Sequence, residues 1–107
     1  MKFLTVCAGG NVRSRAMAYI LMERHKQDAL SAGAVYQAPT IAWLAGNWAD
    51  RIIVMQPKFL EAIPSQHRGK AKVCDVGEDT YGGCWNFILI DRCANFAREW
   101  ATRNFAL

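Results

Sequence analysis

The segment Lys2-Phe3-Leu4-Thr5-Val6-Cys7-Ala8-Gly9-Gly10-Asn11-Val12-Arg13-Ser14 runs from an apolar stretch through two glycines to an arginine and a serine. Lys2 to Val6 reads as a buried strand. Ser14 to about Lys26 reads as a helix with Met17, Ile20 and Leu21 on one side. The turn between them is Cys, five residues, Arg, Ser. Gly9 and Gly10 open backbone angles closed to other residues, so N–H groups of Ala8, Gly9, Gly10, Asn11, Val12 and Arg13 can converge on one concavity, which the start of the helix closes. Such a cradle suits a phosphate or another oxyanion. Arg13 would add a two-pronged hydrogen bond to it, and the same positive field favours the thiolate of Cys7. Ser14 could donate to that sulfur, steadying it as nucleophile and easing its departure.

Further along, the hydrophobic period keeps switching between strand and helix values, with no repeat, long linker or low-complexity tract. Ala29 to Ala32 is expected as a short strand, Pro39 to Trp48 as a helix and Arg51 to Met55 as the strongest buried strand. Lys58 to Ile63 is expected as a helical turn or two before Pro64, and Ala71 to Val76 as the last strand. From Asn86 a final helix would bury Leu89, Cys93, Phe96 and Trp100, with Phe87, Ile90, Ala94, Ala97 and Ala101 beside them. Asp91, Arg92, Asn95, Arg98, Glu99, Thr102 and Arg103 would face solvent. Strands separated by helices in so short a chain predict an α/β domain: a four-stranded parallel sheet with helices on both faces, binding its ligand at the carboxyl ends of the strands.

The chain has 107 residues, about half of them apolar, which fits one domain spanning 1–107 with a core that needs neither disulfide nor metal. Thirteen Lys and Arg against nine Asp and Glu leave +4, in keeping with an anionic ligand. The basic residues are too dispersed for a nucleic-acid face, and no apolar run is long enough for a signal core or a membrane span. Cys7, Cys74, Cys84 and Cys93 lack both zinc spacing and the density of a disulfide scaffold, so a reducing, cytoplasmic setting is expected. Cys74 and Cys93 are expected in the core, and His25 and His67 at the surface. The four Trp are expected as core and interface mass.

The order apolar strand, Cys-x5-Arg-Ser and helix resembles the low-molecular-weight protein tyrosine phosphatases, particularly their short single-domain members. Ser31-Ala32-Gly33-Ala34 resembles the family's Ser-Ala-Gly turn, and Ala49-Asp50-Arg51-Ile52-Ile53-Val54-Met55 its Ala-Asp-(apolar)-Val-Met strand, so the likeness covers most of the chain. The resemblance implies a phosphomonoesterase acting on a phosphorylated protein or small aryl phosphate through a phosphocysteine, without metal or organic cofactor. It assigns Cys7 as nucleophile, Arg13 and the loop N–H groups as phosphate ligands, and Ser14 as support for the sulfur. Its general acid, usually within Asp-Pro-Tyr, would be Asp79 in Asp79-Thr80-Tyr81-Gly82, with Glu78 and Asp75 behind it.

The chain departs from the family in having Arg15 after Arg-Ser in place of Pro, no Pro after Asp79, and Gly10 where the family has its loop Asn. Gly10 can take the left-handed conformation but brings no bracing side chain. Tyr81, with Trp43, Trp48 and Trp85, is left to wall a pocket for an aryl ring. Two alternatives stay open: a thiol-dependent arsenate reductase drawing redox partners from Cys74, Cys84 and Cys93, and a binding module that captures phosphate or a phosphoprotein without turnover.

Overall fold

The computed structural model describes residues 1–101. Its centre is β1 (Lys2–Cys7), in which Phe3 to Cys7 are all buried. Successive strand side chains point to opposite faces, so an unbroken buried run means that both faces of this strand are covered. β2 (Asp28–Gly33) pairs with one edge of β1 and β3 (Arg51–Val54) with the other, while β4 (Ala71–Val73) adds outside β3. All pairings are parallel. The register sets Cys7 opposite Gly33 and Val6 opposite Val54, so the carboxyl ends of three strands lie side by side.

The helices are α1 (Arg13–His25) and α2 (Ala38–Asn47), which cross over between parallel strands, and α3 (Phe87–Phe96), which follows β4 and runs on into a π-helical turn at Ala97–Ala101. α1 packs on α3, and α2 on a 3₁₀ turn at Pro57–Ala62. Met17, Ile20 and Leu21 of α1 are fully buried, as their spacing requires. The helix closes at Lys26, a non-glycine residue in the left-handed region at φ 56°.

Three expectations need correction, and one element was not foreseen. The last strand ends at Val73, three residues short of the expected Val76, although the Cys74 and Val76 N–H groups still bond the Val54 and Met55 carbonyls, at 2.9 and 3.2 Å. The segment Ser65–Lys70 forms a 3₁₀ helix that the sequence did not announce, since it buries no residue and carries no apolar period. In α3 the buried stripe begins only at Leu89: Phe87, in the first turn, is 80 % exposed. Trp43 and Trp85 also stand largely in solvent, although the Trp85 ring meets Tyr19 edge-on at 4.7 Å. The expected roles of Thr102 and Arg103, and of the Ala101 side chain, lie outside what is described.

Cys74 and Cys93 are buried as expected. Burial, with the negative charge of Asp75 nearby, pushes the Cys74 thiol up to about 12, and burial beside Cys74 raises that of Cys93 as well.

Candidate active site

β1 delivers Cys7 to the carboxyl edge of the sheet, 2 % exposed, and the chain turns back over it. The Gly10 N–H donates to Cys7 Sγ at 3.2 Å, and Ser14 Oγ lies 3.1 Å from the same sulfur. Gly10 makes the turn possible at φ +78°, and a Cβ there would stand 2.8 Å from backbone atoms of Ala32 and Gly33. The contact is reciprocal: a Cβ on Gly33 would stand 2.6 Å from the Gly9 carbonyl carbon. Loop and β2 therefore touch backbone to backbone, stitched by Ala34 N–H to Cys7 O at 2.7 Å and Val35 N–H to Ala8 O at 3.0 Å. The Ser31 hydroxyl donates to the Gly10 carbonyl at 3.0 Å, so β2 braces the loop where no Asn side chain is present to do so.

The start of α1 carries positive charge that no acidic residue of its first turn offsets. Val12, at the cap position, makes no side-chain hydrogen bond, and the first turn holds no acidic residue but two arginines, Arg13 and Arg15. Cations oppose the helix dipole at this end and free N–H groups need acceptors, so an anion would relieve both costs. Below the loop, the buried Thr5 hydroxyl donates to the Ser14 carbonyl at 2.7 Å and ties strand to helix.

Arg13 is 2 % exposed. Its Nη1 donates to Gln56 Oε1 at 2.5 Å and to the Gly77 carbonyl at 2.9 Å, and its guanidinium lies 5.3 Å from the centre of the Phe59 ring. Its Nε is buried with no hydrogen-bond partner among the described residues. A buried, unpaired donor on a cation is costly, and a bound oxyanion would satisfy it.

The bond to Gly77 draws the loop of residues 77–83 to the same centre. Of its acids, Glu78 accepts from Gln56 Nε2 at 3.2 Å and pairs with Lys58 at 3.6 Å; these partners, the glutamine hydrogen bond first, hold its carboxyl below the usual range. Asp75 Oδ1 accepts the Gly77 N–H at 3.0 Å and serves the turn. Asp79 is exposed, and its carboxylate bonds none of the described residues. Tyr81 is half-buried: its hydroxyl donates to the Val76 carbonyl at 2.5 Å and receives Arg92 Nη1 at 3.0 Å, so the side chain pins the loop. Tyr36 stands 84 % exposed next to Val35, whose N–H is bonded to the cradle at Ala8.

Cys7 and Ser14 thus meet at the sulfur, Arg13 is next to Ser14 in the chain and buried against Gln56, Gly77 and Phe59, and Ala8 to Val12 connect the two. Asn11 is exposed on the loop, and Cys84, half-buried, is a free thiol like the other three. The sequence reading missed Gln56, Phe59, Thr5 and Tyr36. Only Gln56 carried a signal, since it directly follows the β3 run at the ligand-binding edge of a parallel sheet.

No protein-family model and no curated protein matches the sequence. Solved structures do match. Wzb of Vibrio vulnificus in complex with benzylphosphonate aligns with TM-score 0.74 at 18 % identity, over 95 % of this chain and 97 % of that one. A low-molecular-weight protein tyrosine phosphatase from Bacillus subtilis aligns with TM-score 0.69 at 17 % identity, over 97 % and 99 %. The YwlE arginine phosphatase, as a mutant whose active-site serine is phosphorylated, aligns with TM-score 0.65 at 18 % identity, over 94 % and 96 %. Over nearly its whole length, the chain has the fold of the low-molecular-weight protein tyrosine phosphatases.

Proposed function

We propose that the protein is a cysteine-dependent phosphomonoesterase that hydrolyses a phosphorylated protein or a small aryl phosphate. One observation carries the reading: the Cys7 sulfur, held by Gly10 N–H and Ser14, shares its loop with a buried arginine whose Nε has no partner among the described residues. Phosphate in the cradle would receive the loop N–H groups of residues 8–13 and Arg13, which supply the charge neutralisation that a metal supplies elsewhere. The Cys7 thiolate attacks phosphorus in line; the P–S bond forms as the P–O bond to the leaving group breaks, and Asp79 gives that oxygen its proton. Asp79 then takes a proton from water, whose oxygen attacks phosphorus, releasing phosphate and returning the thiolate. Ser14 stabilises the sulfur in both directions.

Asp79 is assigned as the acid because its two neighbours are committed elsewhere: Glu78 is held ionised by Gln56 and Lys58, and Asp75 serves the turn. Tyr36 would face the leaving group from the rim, with Tyr81 steadying the loop. Among the structural relatives, one binds benzylphosphonate and another is an arginine phosphatase with a phosphorylated active-site serine, which supports oxyanion capture and a phospho-enzyme step. A reductase relay is disfavoured by the burial of Cys74 and Cys93.

The test is hydrolysis of phosphotyrosine, phosphoarginine and an aryl phosphate from pH 5 to 7.5 without added metal. Cys7→Ser should abolish turnover, and Asp79→Asn should lower kcat by about 100-fold, the usual weight of a general acid. Vanadate binding with no turnover by the wild type would make the loop a receptor instead.

A further inference from the structure

We propose that Gln56 and Glu78 are positioning residues that clasp the acid-bearing loop to the phosphate-binding arginine, an inference that rests on the phosphatase reading. Arg13 Nη1 is gripped from two elements at once: by Gln56 Oε1, two residues past β3, and by the carbonyl of Gly77, at the start of the loop. Gln56 is itself buried, 8 % exposed, and the two ends of its amide are used in opposite senses. Its oxygen accepts from the guanidinium, and its nitrogen donates to Glu78 at 3.2 Å. Turned over, the amide would set its NH₂ against a cation and its oxygen against a carboxylate, so the charges at either end fix its orientation.

The loop is therefore held at Gly77 and again at Glu78, and Asp79 is the next residue. Lys58 completes the clasp, with its ammonium 3.6 Å from Glu78 and 5.6 Å from the centre of the Phe59 ring, the same ring that lies beside Arg13. A neutral amide is the side chain that suits position 56. A carboxylate there would also accept from Arg13, but it would offset the charge meant for the ligand and repel Glu78. The glutamine leaves the guanidinium charge whole. With Nη1 occupied, the unpaired Nε is left for the oxyanion.

Each bond of the clasp then has its own kinetic signature. Glu78→Ala should release the loop while sparing the cradle, so vanadate affinity should stay within about twofold while kcat/KM on phenyl phosphate falls about tenfold, part of the weight of general-acid catalysis. On 2,4-dinitrophenyl phosphate, whose leaving group needs no proton, kcat/KM, which stops at phosphorylation of Cys7 and so leaves out the water step that Asp79 also serves, should stay within about twofold. Glu78→Gln keeps an acceptor for Gln56 and should restore activity on phenyl phosphate even though it loses the Lys58 pair. Gln56→Glu, which repels Glu78 and offsets the Arg13 charge, and Gln56→Leu, which frees Nη1, should each reproduce the leaving-group split and add to it about a tenfold loss of vanadate affinity, equivalent to about 1.4 kcal/mol.

Thermal unfolding of each variant checks that it is folded. Equal losses on both substrates, or no loss in Glu78→Ala, would overturn the clasp and leave the phosphatase standing. Should the wild type bind vanadate without hydrolysing any ester, the phosphatase reading fails separately. Amide exchange across residues 77–83 then decides: faster exchange in Glu78→Ala than in Glu78→Gln supports the clasp, and equal exchange overturns it.

Discussion

Gly9, Gly10 and Gly33 look alike in the sequence and differ in what surrounds them. Gly10 is in the left-handed region with backbone 2.8 Å from where a Cβ would sit, Gly33 would put its Cβ 2.6 Å from Gly9, and Gly9 has open space and no positive φ. Neither crowding can be relieved by turning a flexible side chain. Gly10→Ala should therefore cost about 2–4 kcal/mol, combining left-handed strain with overpacking, and Gly33→Ala about 1–3 kcal/mol from overpacking alone. Gly9→Ala should shift stability by less than about 0.5 kcal/mol. Urea denaturation of the three variants checks the ranking, and equal costs would show that loop and β2 do not touch as described.

At the level of elements, the two helices flanking the site begin in opposite ways. α1 starts without a side-chain cap, and its free end faces the cradle. α3 starts with Asn86, whose Oδ1 accepts from Ile88 and Leu89 N–H while its Nδ2 donates to the Tyr81 carbonyl at 3.1 Å. Asn86 is thus both helix cap and anchor for the loop of residues 77–83. Asn86→Ala should cost about 1 kcal/mol from the lost cap, whereas Asn86→Asp should keep the cap and lose only the tie to Tyr81. Chemical denaturation with amide exchange on residues 77–83 separates the effects: exchange should quicken in both variants, but only Asn86→Ala should lose the cap energy.

Over the whole molecule, packing α3 across the sheet buries two thiols beside each other. Cys74 ordinarily titrates at 9.0 and is pushed to about 12 in the fold, and Cys93 moves in the same direction. The folded state thus keeps protons that the unfolded chain releases. Stability from this source is complete below pH 9 and is lost as pH rises from 9 towards 12, at up to about 1.4 kcal/mol per pH unit for each thiol. Denaturant midpoints at pH 8 and pH 10.5 should show the loss, and Cys93→Ala, although less stable at pH 8, should lose less over that interval. An identical slope in the variant would mean that other groups govern the alkaline limit.

What the sequence determined by itself is what local chemistry encodes. The apolar run into Cys7, the glycines, Arg13-Ser14 and the alternating periods defined a parallel α/β sheet and its strand-end cradle, because strand burial and turn geometry act over a few residues. Motif reading also reached Ser31-Ala32-Gly33, but not the reason for it: Gly33 is needed because a loop more than twenty residues earlier presses on it. The partners of Arg13 were decided only by the tertiary structure. Gln56, Phe59 and Gly77 lie more than forty residues away and meet Arg13 only when β1, β3 and the following loop share one sheet edge. Phe87 was misread for the converse reason: helical spacing says which residues share a face, and only the packed neighbours determine how much of that face is covered.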